Sequence, residues 1–184
     1  MWKKWFGKKD DGPSVDPLHD LKLSNLQPGY LVDYDLKTWE VKARHTYDFG
    51  GGDRTTEWEL YSGQERRYLE FDDEDEGCWI LTRKIGIHAI DPGLKSHIMK
   101  NEDPPGTLQF EGVTYHLDSS GGGNFLRGGQ TPPPPPQPFL FWDFESEDEE
   151  GVLTIEQWGD DDFEAAVGIY VEEYQFSNIL PTSR

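Results

Sequence analysis

Glycine and proline interrupt this chain so often that a long helix has nowhere to form: 20 Gly and 13 Pro are spread over 184 residues. A glycine inside a helix costs about 1 kcal/mol relative to alanine and a proline about 3 kcal/mol. The expectation is therefore short β-strands joined by tight turns, with very little helix. One short helical turn is expected at Asp160 to Ala166, where Asp161 or Asp162 can cap a start at Phe163-Glu164-Ala165-Ala166. Leu, Ile, Val and Phe together make only about 22% of the residues, close to the level at which a highly charged chain stays unfolded. The aromatics argue for folding, because 7 Trp, 8 Tyr and 10 Phe are present and each ring buries on the order of 150–250 Å2.

Strand signals begin after Pro28-Gly29. Tyr30 to Tyr34 and Thr38 to Ala43 are rich in β-formers and read as a hairpin, while Tyr47 to Arg54, with Gly50-Gly51-Gly52-Asp53, reads as a connection. Thr55 to Tyr61 alternates, placing Trp58 and Leu60 on one face and Glu57 and Glu59 on the other, the pattern of a sheet with one wet face. Two later segments share a layout of strand, acidic turn, Gly, strand: Tyr68-Leu69-Glu70-Phe71 to Cys78-Trp79-Ile80-Leu81-Thr82, and Phe139 to Phe144 followed by Val152 to Ile155. Two related β-meanders would account for this, as would chance likeness between acidic hairpins. Pro132 to Pro136 must be polyproline II-like, a stiff insertion over residues 127–138 in preference to a ligand for an aromatic groove.

Charge divides the chain unevenly. Lys3, Lys4, Lys8 and Lys9 stand without an acid among the first nine residues, whereas the whole chain carries 17 basic and 36 acidic residues, a net charge of -19. An acidic body repels phosphate backbones, so no nucleic-acid partner is expected. A basic protein partner or small cations are. The tail residues Trp2, Lys3, Lys4, Trp5, Phe6, Lys8 and Lys9 have the composition of an interfacial anchor, giving weak contact with an anionic membrane. The bland alternative is an idle terminus. No apolar run approaches the roughly 18 residues of a membrane span, no signal-peptide core is visible, and a cytoplasmic protein, peripheral to the inner face of the membrane, is expected.

Catalytic signatures are missing: there is no nucleophile elbow, phosphate loop, dinucleotide fingerprint or zinc-protease helix. Aligning either acidic run on an EF-hand glycine leaves Arg83 or Gln157 where the loop needs its bidentate Glu. His19, His45, His88, His97 and His116 show no ligand spacing, so neither a metal nor another cofactor is expected. Cys78, after an acidic run, is expected to be an inert small core residue.

Leu26-Gln27-Pro28-Gly29-Tyr30-Leu31-Val32-Asp33-Tyr34, Thr38-Trp39-Glu40-Val41, Glu57-Trp58-Glu59-Leu60-Tyr61, Trp79 to Ile85 and Glu173 to Pro181 together resemble the bacterial family called domain of unknown function 4178. The resemblance covers roughly Leu21 to Pro181, with the polyproline insertion as a departure. It implies an accessory role in a membrane-stress type system and carries over no site residue.

The expected architecture is thus a basic-aromatic tail and linker over residues 1–20 and one all-β antiparallel domain over 21–181. That domain would be either two β-meander lobes, 21–90 and 106–181, packed together, or one bent sheet or partly open barrel. Trp39, Trp58, Trp79, Trp142 and Trp158 belong in its core, and Tyr174, Phe176, Ile179 and Leu180 in a closing strand. The leading functional expectation is a non-enzymatic adaptor whose acidic body binds a basic partner while the tail touches membrane. The alternative is an enzyme or metal-dependent protein acting on a cationic small molecule such as a polyamine, which a concave pocket lined by several carboxylates and one or two of the histidines would favour.

Overall fold

The structure, a computed structural model, describes residues 21–72 and 77–182. Eleven strands form one antiparallel sheet: β1 (Leu31–Tyr34), β2 (Lys37–Gly50), β3 (Asp53–Ser62), β4 (Glu65–Asp72), β5 (Cys78–Ile85), β6 (Thr107–Phe110), β7 (Val113–Leu126), β8 (Gln137–Ser146), β9 (Gly151–Gln157), β10 (Phe163–Val171) and β11 (Ser177–Leu180). Two helices, α1 (Ile87–Ile90) and α2 (Leu94–Asn101), lie between β5 and β6. The order is β11-β1-β2-β3-β4-β5-β10-β9-β8-β7-β6. A further pairing of β2 with β7, through Thr46↔Leu126, Tyr47↔Phe125 and Asp48↔Asn124, closes β2 to β5 and β7 to β10 into an eight-stranded barrel. Of the two arrangements expected, the bent sheet is the one formed: the meanders join edge to edge and close, with β1, β11 and β6 as extensions.

The two halves follow one plan. Strands β1 to β5 have 4, 14, 10, 8 and 8 residues, and β6 to β10 have 4, 14, 10, 7 and 9. Pro28-Gly29 precedes β1 as Pro105-Gly106 precedes β6. Both hairpins that follow turn on two residues of positive φ, Asp35-Leu36 and Glu111-Gly112, the turn whose twist matches that of antiparallel strands. A bulge falls between Val41 and Ala43 in β2 and between Leu117 and Ser119 in β7. The registers correspond as well, Trp58↔Leu69↔Leu81 in one half matching Trp142↔Ile155↔Ala165 in the other. The internal repeat is therefore present, but one strand out from the expected alignment. Hairpin β4–β5 corresponds to β9–β10, not to β8–β9, because the acidic runs used to align them belong to different turns.

The apolar core lies on the outside of the barrel wall. Leu23, Leu26 and Val32 cover Trp58, Leu69, Trp79 and Leu81 on one side, and Trp58 Nε1 donates to the Leu26 carbonyl at 2.8 Å. Ile87, Leu94 and Ile98 of the helices cover Trp142, Phe144, Leu153, Ile155 and Ala165 on the other. Trp39, Trp58, Trp79 and Trp142 are buried and Trp158 is partly so, in a third cluster with Tyr47, Phe125 and Phe139. Helix α2 escaped the sequence reading because its apolar face is just Leu94 and Ile98, one turn apart. The helical turn expected at 160–166 is instead the start of β10, where Ala165 and Val167 alternate into the second cluster. Tyr47 to Gly50, expected as connection, extends β2 to the barrel rim. The closing strand is β11, paired with β1 and anchored by buried Phe176, whereas Tyr174 stands exposed in a 3-10 turn over Glu173–Gln175 and Leu180 is exposed.

Candidate site in the barrel lumen

Because the wall turns its apolar face outward, the alternate residues of each strand point into the barrel. An eight-stranded barrel is wide enough for its inward side chains or one small ligand, and here a cavity of about 510 Å3 remains. The expected wet face of β3 is this lumen: Glu57 is 3% exposed, directly behind the Trp58 and Leu60 face. Cys78, expected in the core, is half-buried and lines the same cavity.

One wall is aromatic. Tyr47, Phe49, Phe139 and Phe141 come from β2 and β8, with ring centroids 5.3 Å apart for Tyr47–Phe139, 5.3 Å for Phe49–Phe141 and 6.0 Å for Phe49–Phe139. The run Gly121-Gly122-Gly123 on β7 makes room for it. A Cβ at Gly121 would meet the Phe141 ring at 3.0 Å, and one at Gly123 would meet the Phe139 ring at 3.0 Å and the Asp48 carbonyl at 2.9 Å. These glycines thus serve packing.

Carboxylates line the rest. Glu70, Asp72, Asp143, Glu145 and Glu156 border the cavity, with Asp53 and Asp118 also on its lining, against the single cation Lys84. Lys84 Nζ lies 3.0 Å from Glu156 Oε2 and 2.9 Å from Glu164 Oε2. Burial disfavours its ammonium, but Glu156, Glu57 and Glu164 outweigh that and hold its pKa above the ordinary value. Burial, reinforced by Glu156, pushes Glu70 up to about 7 even though Lys84 and a Thr82 hydroxyl 3.4 Å away oppose it. Burial likewise raises Asp143 to about 6, against the hydrogen bond it accepts from Thr154 Oγ1 at 2.7 Å. Glu57 is raised well above the carboxylate range, by burial first and Glu70 second. Burial and then Glu145, which accepts from the Tyr170 hydroxyl at 2.5 Å, keep that phenol protonated.

His45 is buried outside the lining, its Nε2 3.2 Å from Glu59 Oε1 and its Nδ1 accepting from the Gly128 N–H at 3.1 Å. That bond pins the proline-rich link from β7 to β8 against β2, so closely that a Cβ on Gly128 would lie 2.1 Å from the Arg44 carbonyl. His88, His97 and His116 are exposed, and among the described residues no group of three or more His, Cys, Asp or Glu is placed to hold a metal ion. The tail residues Trp2, Lys3, Lys4, Trp5, Phe6, Lys8 and Lys9 lie outside the described residues, as does His19. Among the described residues no helix is long and apolar enough to cross a membrane. Sequence reasoning singled out none of the lumen residues as a site, since one acid among 36 carries no signal. The usable clue was the glycine run facing an aromatic strand.

A protein of Aquifex aeolicus (strain VF5) described as an uncharacterized protein is 28% identical over 179 residues, which cover 97% of this chain and 96% of that relative. No solved structure matches the chain. The family model "Domain of unknown function (DUF4178)" matches residues 27–173, from the turn before β1 through β10, so the carboxylate-lined barrel lies within the matched region and the chain belongs to that family.

Proposed function

We propose that the barrel is a binding module for a small organic cation, taken into the lumen with its apolar portion against Tyr47, Phe49, Phe139 and Phe141 and its ammonium group among Glu70, Asp143 and Glu156. The observation that carries this reading is the 510 Å3 cavity itself, with carboxylates on one side and aromatic rings on the other. Water-excluded carboxylates attract an ammonium far more strongly than solvated ones, and the faces of aromatic rings attract cations too. Further acids on the lining, Asp53, Asp72 and Asp118, suit an amine charged at both ends, as a linear polyamine is. Binding and not turnover is the activity proposed.

The adaptor reading keeps a place alongside it. The tail would still bring the barrel to an anionic membrane, and deleting residues 1–9 should abolish liposome association at low salt; equal sedimentation of both forms would remove that role. What shifts the emphasis is where the acids are, since Glu57, Glu70, Asp143 and Glu156 face inward and cannot contact a basic protein.

Calorimetry of the full chain with butane-1,4-diamine and with butane-1,4-diol tests the lumen reading. The diamine should bind saturably at one site and the diol not at all, and Asp143→Asn should weaken diamine binding about tenfold. Equal behaviour of diamine and diol would overturn it.

A further inference from the structure

Glu57 and Glu70 are register partners on β3 and β4 and point to the same side of the wall. Like charges directly opposite one another on antiparallel strands repel at Cβ separations of roughly 5 Å, and the cation that both glutamates feel, Lys84, is shared with further acids. Lys84 is itself paired with Glu156 and Glu164 at 3.0 and 2.9 Å. Glu57 accepts a long hydrogen bond from the Tyr47 hydroxyl at 3.4 Å. The groups facing the pair are therefore Tyr47 from β2, Glu59 from β3, Thr82 and Lys84 from β5, Asp143 from β8 and Glu156 from β9. Around one lysine that is an excess of carboxylates, and two adjacent ionised glutamates cannot be held there without a bound proton.

Of the two, only Glu70 borders the cavity; Glu57 lies behind it, closed off from the lumen. Taking the lumen as the cation site proposed above, we infer that the Glu57–Glu70 pair holds a shared proton in the empty barrel and gives it up when an organic cation arrives, so that uptake is an exchange of cation for proton. The balance is simple: an O–H bond of the pair breaks, the proton leaves to solvent, and the ammonium replaces its charge. Binding then tightens as pH rises. Where one proton is displaced per ligand, the apparent affinity climbs about tenfold per pH unit and levels off once the pair is ionised in the empty barrel.

Calorimetry of butane-1,4-diamine binding at pH 6, repeated in two buffers of different ionisation enthalpy, counts the protons released. The full chain should release close to one proton per diamine bound. Glu57→Gln keeps the cavity-lining carboxylate but removes its like-charged partner. In this variant the proton count should drop below that of the unaltered chain, and what pH dependence remains is that of Glu70 and Asp143, raised by burial. Saturable binding with the same heat in both buffers would overturn the exchange and leave the lumen reading standing; no saturable binding at any pH would overturn that reading itself. If Glu57→Gln does not fold, the proton count on the unaltered chain decides alone.

Discussion

At Leu36 the backbone is left-handed, with φ at 60°, and the side chain is fully exposed. An L-residue pays about 1–2 kcal/mol for that conformation, and the corresponding turn in the second half uses Gly112 at the equivalent place. Leu36→Gly loses no packing and should raise stability by about 1 kcal/mol, read as a higher urea midpoint at unchanged slope. A lower midpoint would show that Leu36 makes contacts beyond its turn. The lumen acids act on stability in the opposite sense from ordinary salt-bridged carboxylates. Glu70 is raised from 4.5 to about 7 and Asp143 from 3.8 to about 6, so the folded chain binds more protons than the unfolded one between pH 4 and 7. Stability contributed by these groups is full below pH 4 and falls as pH rises to about 7. Glu70→Gln should remove roughly 2–3 kcal/mol of that penalty at pH 8 and flatten the pH profile of thermal unfolding. An unchanged profile would mean that the carboxyl is hydrated in the folded chain.

Among the elements, the closing strand carries a clear expectation. Phe176 packs in the first apolar cluster with Trp58 and Trp79, Ile179 packs against it, and β11 covers the edge of β1. Truncation after Gln175 removes all three and exposes that edge; the cooperative thermal transition should be lost, and a transition at the wild-type temperature would refute the role of β11. The elements also show what the sequence made legible and what it did not. The β1–β2 hairpin, the alternation of β3 and the tryptophan core could be read directly, because turn chemistry and period 2 are local signals. The two faces of that alternation were read correctly; what the acidic face looks onto was not. Glu57 and Glu59 looked solvent-facing because a single sheet buries its apolar side; Trp58 and Leu60 do bury, under the cover outside the barrel, but closure turns the acidic face into the barrel, where Glu57 is shut off from water. Nothing local to Thr55–Tyr61 encodes that closure, which depends on the distant β2–β7 and β5–β10 pairings. Tyr174 was placed in a strand for a similar reason: its apolar neighbours Phe176 and Ile179 do bury, while the 3-10 turn before them turns Tyr174 out.

For the whole molecule, a net charge of -19 reads differently once part of it lines a cavity in the barrel. Solvated acids on a surface would attract any polycation loosely and in a salt-dependent manner. Acids inside a barrel of fixed width attract a ligand of fixed size. The duplicated plan supplies that cavity: two five-strand halves, each with its own hairpin, bulge and outer apolar cover, meet at two seams. Their departures from one another at the lumen, Glu57↔Glu70 in one half against Phe141↔Glu156 in the other, place the paired acids on one side and an aromatic ring on the other. The most direct measurement is NMR of the labelled full chain titrated with butane-1,4-diamine. Saturable shifts confined to lumen-lining amides such as Gly121, Gly122 and Thr154, with intermolecular NOEs from the ligand methylenes to the rings of Phe49 and Phe141, are the expected result. Shifts spread over the exposed acidic turns, growing without saturation and vanishing with added salt, would contradict a lumen site.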